Sequence, residues 1–124
     1  MKGQRLFVRP IDSGDTAAVT AFLLQYGASS HSPACGLVGK LVGELVAVLT
    51  MEVTDNAIRV DDLVVAPELR RKRIGRVMMN EVHALAAKMD RTRVEAPRGR
   101  GDEFLQRVGF REEGEQWVQV VGKR

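Results

Sequence analysis

Cysteine is nearly absent: the single Cys35 in 124 residues can form no internal disulfide, which suits a reducing compartment. Aromatic side chains are few, four phenylalanines, one tyrosine and one tryptophan. They do not alternate with basic residues, which argues against a surface for stacking nucleic-acid bases. Long apolar runs are missing as well. Gly, Lys or Glu interrupts each one well before the roughly 18 residues that a spanning helix needs. Met1 to Gln4 lead directly into a strand-like alternation, with no apolar stretch of the signal-peptide kind. The expectation is a cytoplasmic protein with no membrane partner. The two histidines and one cysteine stand at scattered positions without ligand spacing, so no metal site is expected.

What is present is ordinary in amount and uneven in placement. Hydrophobic residues make up 44% and charged residues 28% of the chain, the balance of a globular protein. The length suits one domain, residues 1–124, better than two. The net charge of +3 is modest, yet Arg70, Arg71, Lys72, Arg73 and Arg76 crowd one short segment. Such a cluster attracts anions, either a phosphate-bearing small molecule or a nucleic-acid backbone.

Residues 5–9 alternate and lead through Pro10 to Asp12-Ser13, a helix N-cap ahead of Ala18, Val19, Phe22, Leu23 and Tyr26 on one helical face. Gly27 ends that helix, and residues 28–33 read as a Ser-rich loop. Strands follow near 35–38, 44–53 and 57–65, with turn signals at Gly39-Lys40 or Gly43-Glu44 and at Thr54-Asp55-Asn56. Pro67, which has no N–H to continue a ladder, opens the next turn. Between Arg70 and Met89 the apolar residues Ile74, Val77, Met78, Val82, Leu85, Ala86 and Met89 keep a helical rhythm. His83 falls on the polar flank of that helix and is expected to face solvent. A short strand at 91–96, a helix carrying Phe104, Leu105 and Val108, a left-handed Gly109 and a strand at 116–121 complete the order. The pattern predicts a mixed, mostly antiparallel α/β (α+β) sheet rather than an all-parallel one.

One segment carries chemistry. From Asp61 to Val77 a buried strand turns tightly into a long amphipathic helix, whose first N–H groups lack intrahelical partners and stand at the positive end of the helix dipole. Anions bind at such places. Arg91, Arg93, Arg98 and Arg100 lack this context and are read either as a solvated face or as neighbours of a bound nucleotide. Arg100-Gly101-Asp102 spells an integrin-type tripeptide, a chance match in a cysteine-poor chain.

The run Val65-Ala66-Pro67 followed by Arg70, Arg73 and Gly75 resembles the signature of the GNAT N-acetyltransferase family, a strand ending V-x-P and then (Q/R)-x-x-G-x-(G/A). Phe104 to Phe110 resembles the family's late F-Y-x-x-x-G-F segment. Arg73 stands where the family has glycine, Leu105 where it has the tyrosine that protonates departing thiolate, and Arg98 near the usual asparagine. The resemblance implies a GNAT-like fold, a central sheet flanked by helices, with acetyl-CoA as co-substrate and no metal. It implies that Arg70, Arg71, Lys72, Arg73, Ile74, Gly75 and Arg76 cradle the diphosphate. With Arg73 at ordinary helical dihedrals its guanidinium would add a phosphate contact. Leu63, Val64 and Val65 would offer main-chain groups to the pantetheine arm.

The nearest carboxylates to that thioester are Asp61 and Asp62. Neighbouring strand residues face opposite ways. Asp61 shares its face with Leu63 and Val65, which are expected to be buried, so Asp62 is preferred as base. Tyr26, His31 and Cys35 are candidates for the missing acid. The resemblance implies that the acceptor is a primary amine on a small molecule or a protein. Oligomeric state is left open, a homodimer included. The alternative function is a catalytically silent CoA-binding regulatory module.

Overall fold

The computed structural model describes residues 6–27, 35–69, 73–99 and 101–121. Seven strands form one sheet in the order β1-β2-β3-β4-β5-β7-β6: β1 (Leu6–Pro10), β2 (Gly36–Leu41), β3 (Glu44–Val53), β4 (Ala57–Val65), β5 (Arg93–Pro97), β6 (Arg111–Glu113) and β7 (Gln116–Val120). β4 and β5 run parallel, whereas β1/β2, β2/β3, β5/β7 and β6/β7 are antiparallel. Among the described residues three α-helices complete the order: α1 (Thr16–Tyr26), α2 (Ile74–Lys88) and α3 (Asp102–Arg107). This is the mixed, mostly antiparallel sheet the pattern predicts. β6 is the strand the pattern omits, because all three of its residues are exposed and show no apolar alternation.

The residues group into two compact units, Met1–Thr50 with Asp62–Met78, and Met51–Asp61 with Met79–Arg124. In the first, α1 buries Val19, Phe22 and Leu23 against Val38, Val48, Val64 and Ala66. The entry to α1 is fixed by charge as well as by packing. Asp12 accepts from the Gly14 amide at 2.8 Å and Asp15 accepts from the Asp12 amide at 2.9 Å, a reciprocal cap. Arg9 donates both guanidinium arms to Asp15, at 2.7 and 2.8 Å. These bonds hold the buried Asp15 carboxyl well below the usual carboxylate range.

The β2–β3 hairpin turns at Val42-Gly43, with φ of 50° and 80°. Both signs match the favoured two-residue turn, although a β-branched residue is strained there. Between Gly39↔Ala47 and Lys40↔Leu45 the register shifts, so Val46 is the extra residue of a bulge in β3. Its carbonyl accepts from the Ala66 amide at 2.9 Å and so anchors the chain just past β4.

In the second unit, Ala57, Ile58 and Arg59 of β4 pair with Arg93, Val94 and Glu95 of β5, and β7 pairs with both β5 and β6. Ile58, Met79, Val82, Ala86, Val94, Leu105, Phe110, Trp117 and Val118 are buried. Arginines act as ties. Arg91 donates to the carbonyls of Thr54 and Met89 at 2.7 and 2.6 Å. Arg93 bridges Glu95 and Glu113 at 2.8 and 2.7 Å, and Arg98 pairs with Glu112 and donates to the Gly114 carbonyl. Arg93 and Arg98 thus make ion pairs and Arg91 bonds two carbonyls, and Arg98 keeps the exposure of a solvated face; Arg100 lies outside the described residues.

His83 departs from its expected solvent-facing position. It is half-buried, with Nδ1 2.8 Å from the Met79 carbonyl and its ring edge-on to Phe110. The Asp102 carboxylate of the integrin-type tripeptide is turned inward, accepting from Trp117 Nε1 at 2.8 Å and from the Gly99 amide at 2.9 Å.

Candidate active site

The end of β4 and the start of α2 are joined by a short 3-10 turn, Pro67–Leu69, closed by the Leu69 amide donating to the Ala66 carbonyl at 2.9 Å. Arg70, Arg71 and Lys72 lie outside the described residues. Arg73 has a φ of 65°, the left-handed region that glycine enters freely and other residues enter at a cost of about 1–2 kcal/mol. The condition of ordinary helical dihedrals at Arg73 is thus not met: the backbone keeps the turn and the arginine bears the strain. Its carbonyl accepts from the Val77 amide at 3.0 Å. The amides of Ile74, Gly75 and Arg76 therefore begin the helix and have no acceptor within it.

Charge gathers at the same place. Among the described residues Arg9, Arg59, Arg91, Arg93 and Arg98 are each tied to carboxylates or carbonyls. Arg73 and Arg76 are exposed, and neither guanidinium has a hydrogen bond or ion pair among the described residues; the same holds for Arg107 at the end of α3 and Arg111 in β6, which stand at no helix start. Helix-start amides beside two unengaged guanidinium groups form a donor set with no acceptor given among the described residues, which fits a diphosphate.

Burial along the end of β4 reverses the expected facing. Val64 is buried in the α1 cluster, whereas Leu63 and Val65 are half-buried. Tertiary packing decided this: the α1 apolar face takes Val64, and the three consecutive apolar residues Leu63, Val64 and Val65 carry no periodic signal to choose between faces. The Ala66 amide bonds the β3 carbonyl of Val46. Alternation along the strand then sends the Val64 amide toward β3 and those of Leu63 and Val65 to the opposite edge.

The two candidate bases have different surroundings. Asp62 is half-buried and accepts from its neighbour, the Leu63 amide, at 2.9 Å. Asp61 is half-buried and receives Arg59 Nε on Oδ1 at 3.2 Å, while Arg59 Nη2 donates to Glu52 at 2.5 Å. Arg59 and Glu52 are additions to the sequence-derived list. The i, i+2 spacing of Arg59 and Asp61 on one strand was the legible signal.

Of the acid candidates, Tyr26 is half-buried, with its ring 5.0 Å from Phe22 at 67° and its body against the α1 cluster. Cys35 is a half-exposed free thiol, and His31 lies outside the described residues. Leu105, at the position of the family tyrosine, is buried.

A model of the acetyltransferase (GNAT) domain matches residues 32–112, which include β4, the turn and α2. The chain belongs to the GNAT acetyltransferase family.

Solved GNAT structures share its fold. N-acetylglutamate synthase from Neisseria gonorrhoeae, complexed with coenzyme A and L-arginine, superposes with a TM-score of 0.82 at 13% identity, over 95% of this chain and 34% of that one. This chain thus spans about a third of that enzyme. The ribosomal-protein-S18-alanine N-acetyltransferase from Escherichia coli gives 0.79 at 11% identity, covering 97% of this chain and 96% of the other. An aminoglycoside 6′-N-acetyltransferase complexed with coenzyme A gives 0.76 at 13%, over 95% and 98%. No curated protein matches the chain in sequence. No described helix is long and apolar enough to cross a membrane.

Proposed function

We propose that this GNAT domain transfers an acetyl group from acetyl-CoA to a primary amine. The observation that carries the reading is the start of α2, where Arg73 takes the glycine conformation, three amides lack an intrahelical acceptor and two guanidinium groups are unengaged. Ile74, Gly75 and Arg76 would hold the diphosphate through their amides, with Arg73 and Arg76 supplying charge and Arg70, Arg71 and Lys72 adding to it. Leu63 and Val65 would position the pantetheine arm through main-chain groups, while those of Val64 face β3.

When bound, acetyl-CoA supplies an activated acyl carbon as a thioester. The chain supplies orientation and proton removal. An amine of the lysine kind is an ammonium at neutral pH, with a reference pKa of about 10.4, and must shed a proton before it can attack. Asp61 and Asp62 are the carboxylates beside the thioester stretch. The more open surroundings of Leu63 and Val65 now favour Asp61, because Val64 lies in the core and Asp62 is engaged with the Leu63 amide. The Val65 amide, directed away from β3, is suited to donate to the carbonyl oxygen as negative charge develops. Tyr26 and Cys35 remain the candidates to protonate the thiolate.

The fold is shared with a protein named for a ribosomal-protein alanine and with one named for an aminoglycoside, so it does not choose between a protein and a small-molecule acceptor. Calorimetric titration with acetyl-CoA, followed by thiol release across a panel of amines, tests the reading. Binding with measurable turnover is expected, and absence of both removes it.

A second reading, a CoA-binding module without turnover, is favoured by the buried Leu105 in place of a hydroxyl. Tight binding with no acetylated product from any amine would select it.

A further inference from the structure

We propose that Arg59 is a positioning residue that holds Asp61 as the proton acceptor for the incoming amine, with Glu52 bracing the arginine from the adjacent strand in the sheet. This inference rests on the transferase reading.

Three side chains from β3 and β4 form the device. Arg59 Nε lies 3.2 Å from Asp61 Oδ1, and Arg59 Nη2 donates to Glu52 Oε1 at 2.5 Å. The guanidinium fork is planar, so fixing one arm on Glu52 sets the direction of the other. It therefore sets the rotamer of Asp61. The arginine engages one Asp61 oxygen and leaves Oδ2 without a partner among the described residues. A base needs that arrangement, with one oxygen steered and one open to take a proton.

Position and charge agree with the role. Asp61 precedes Leu63 by two residues on the same strand, so alternation puts the two on a common face, and that is the less buried face of this stretch. One cation between two carboxylates leaves the trio with a net negative charge, which favours approach of an ammonium over that of an anion. Paired surface ions of this kind add little to stability. A functional use, rather than folding, is what would make the geometry matter.

The step balances as follows. Asp61 Oδ2 takes one proton from R–NH3+, giving R–NH2 and a neutral carboxylic acid. The nitrogen lone pair forms the N–C bond to the thioester carbon, the C–S bond breaks, and its electron pair leaves on sulfur. The new N–C adduct gives up the second ammonium-derived proton to solvent, the acid candidate, Tyr26 or Cys35, gives one proton to the thiolate and recovers one from solvent, and the amide and free thiol are left. Asp61 then returns its proton to solvent.

The test is a double-mutant cycle on the full chain, with acetyl-CoA affinity measured separately by calorimetry. Arg59→Gln is expected to leave the acetyl-CoA Kd unchanged and to lower kcat by about tenfold or more, as displacing a base by an ångström does. Arg59→Lys should restore part of that loss. In an Asp61→Asn background Arg59→Gln should cost nothing further, since the group it aims is gone. If acetyl-CoA binds and the wild-type chain turns over, but Arg59→Gln leaves kcat intact or lowers it equally with and without Asp61, the proposal is overturned. If the wild-type chain fails to bind acetyl-CoA or to turn over, the transferase reading fails first and takes this one with it.

Discussion

Arg73 combines two costs that pull in opposite directions. A left-handed φ of 65° is unfavourable for a side chain bearing Cβ, while glycine there loses more freedom on folding. Arg73→Gly should therefore raise stability by no more than about 1 kcal/mol, read as a higher urea midpoint. The same change removes an unengaged guanidinium from the proposed diphosphate position, and acetyl-CoA should bind about tenfold more weakly by calorimetry, as loss of one charge-assisted hydrogen bond predicts. A more stable protein with a weaker ligand would separate the backbone role from the charge. Asp15 makes a pH prediction. Its folded pKa is depressed by the Arg9 bonds, so its contribution is complete above the unfolded value of about 3.9 and is lost as pH falls through the lower folded value. Asp15→Asn should flatten the acid limb of stability against pH while leaving the neutral-to-alkaline side parallel to wild type. The basic cluster and Arg73 as an odd residue were legible because charge and motif spacing are local. The conformation of Arg73 was not, since φ is imposed by the turn rather than by the side chain.

At the scale of elements, the helices and long strands could be read from periodicity because each buries one face. α2, for example, buries Ile74, Met78, Met79, Val82 and Ala86 at helical spacing. Leu63, Val64 and Val65 could not be assigned to faces in the same way, and only the docking of Phe22 and Leu23 of α1 distinguishes Val64. The arginine ties were also invisible, as Arg91, Arg93 and Arg98 find partners 37, 20 and 16 residues away. Close approach of β2 to β3 is a further long-range fact with a test. A Cβ on Gly36 would lie 2.1 Å from the Leu49 carbonyl oxygen, a backbone atom with little room to move. Gly36→Ala should destabilise by about 3 kcal/mol in chemical unfolding, the upper end of overpacking costs. Gly39→Ala meets side chains alone, the Met78 Sδ at 3.0 Å and the Ala47 Cβ and Leu6 Cδ1 at ordinary contact of 3.4 and 3.5 Å, and should cost about 1 kcal/mol.

For the molecule as a whole, the net charge of +3 understates how selectively cations are left available. Several arginines are paired with carboxylates and carbonyls, whereas Arg73 and Arg76 beside the α2 amides, like Arg107 and Arg111, have no side-chain partner among the described residues. Acetyl-CoA affinity should accordingly fall as salt rises, whereas chemical stability should change little, because exposed ion pairs contribute weakly. The two compact units also carry different chromophores. The lone tyrosine, Tyr26, belongs to one and the lone tryptophan, Trp117, to the other. Trp117 is buried with its indole nitrogen bonded to Asp102, so its emission will redden when that environment opens. Near-ultraviolet spectroscopy can thus follow each unit by its own signal without a label. Coincident melting of the two signals is the behaviour of a short cooperative chain, and any gap between them would measure how independently the halves come apart.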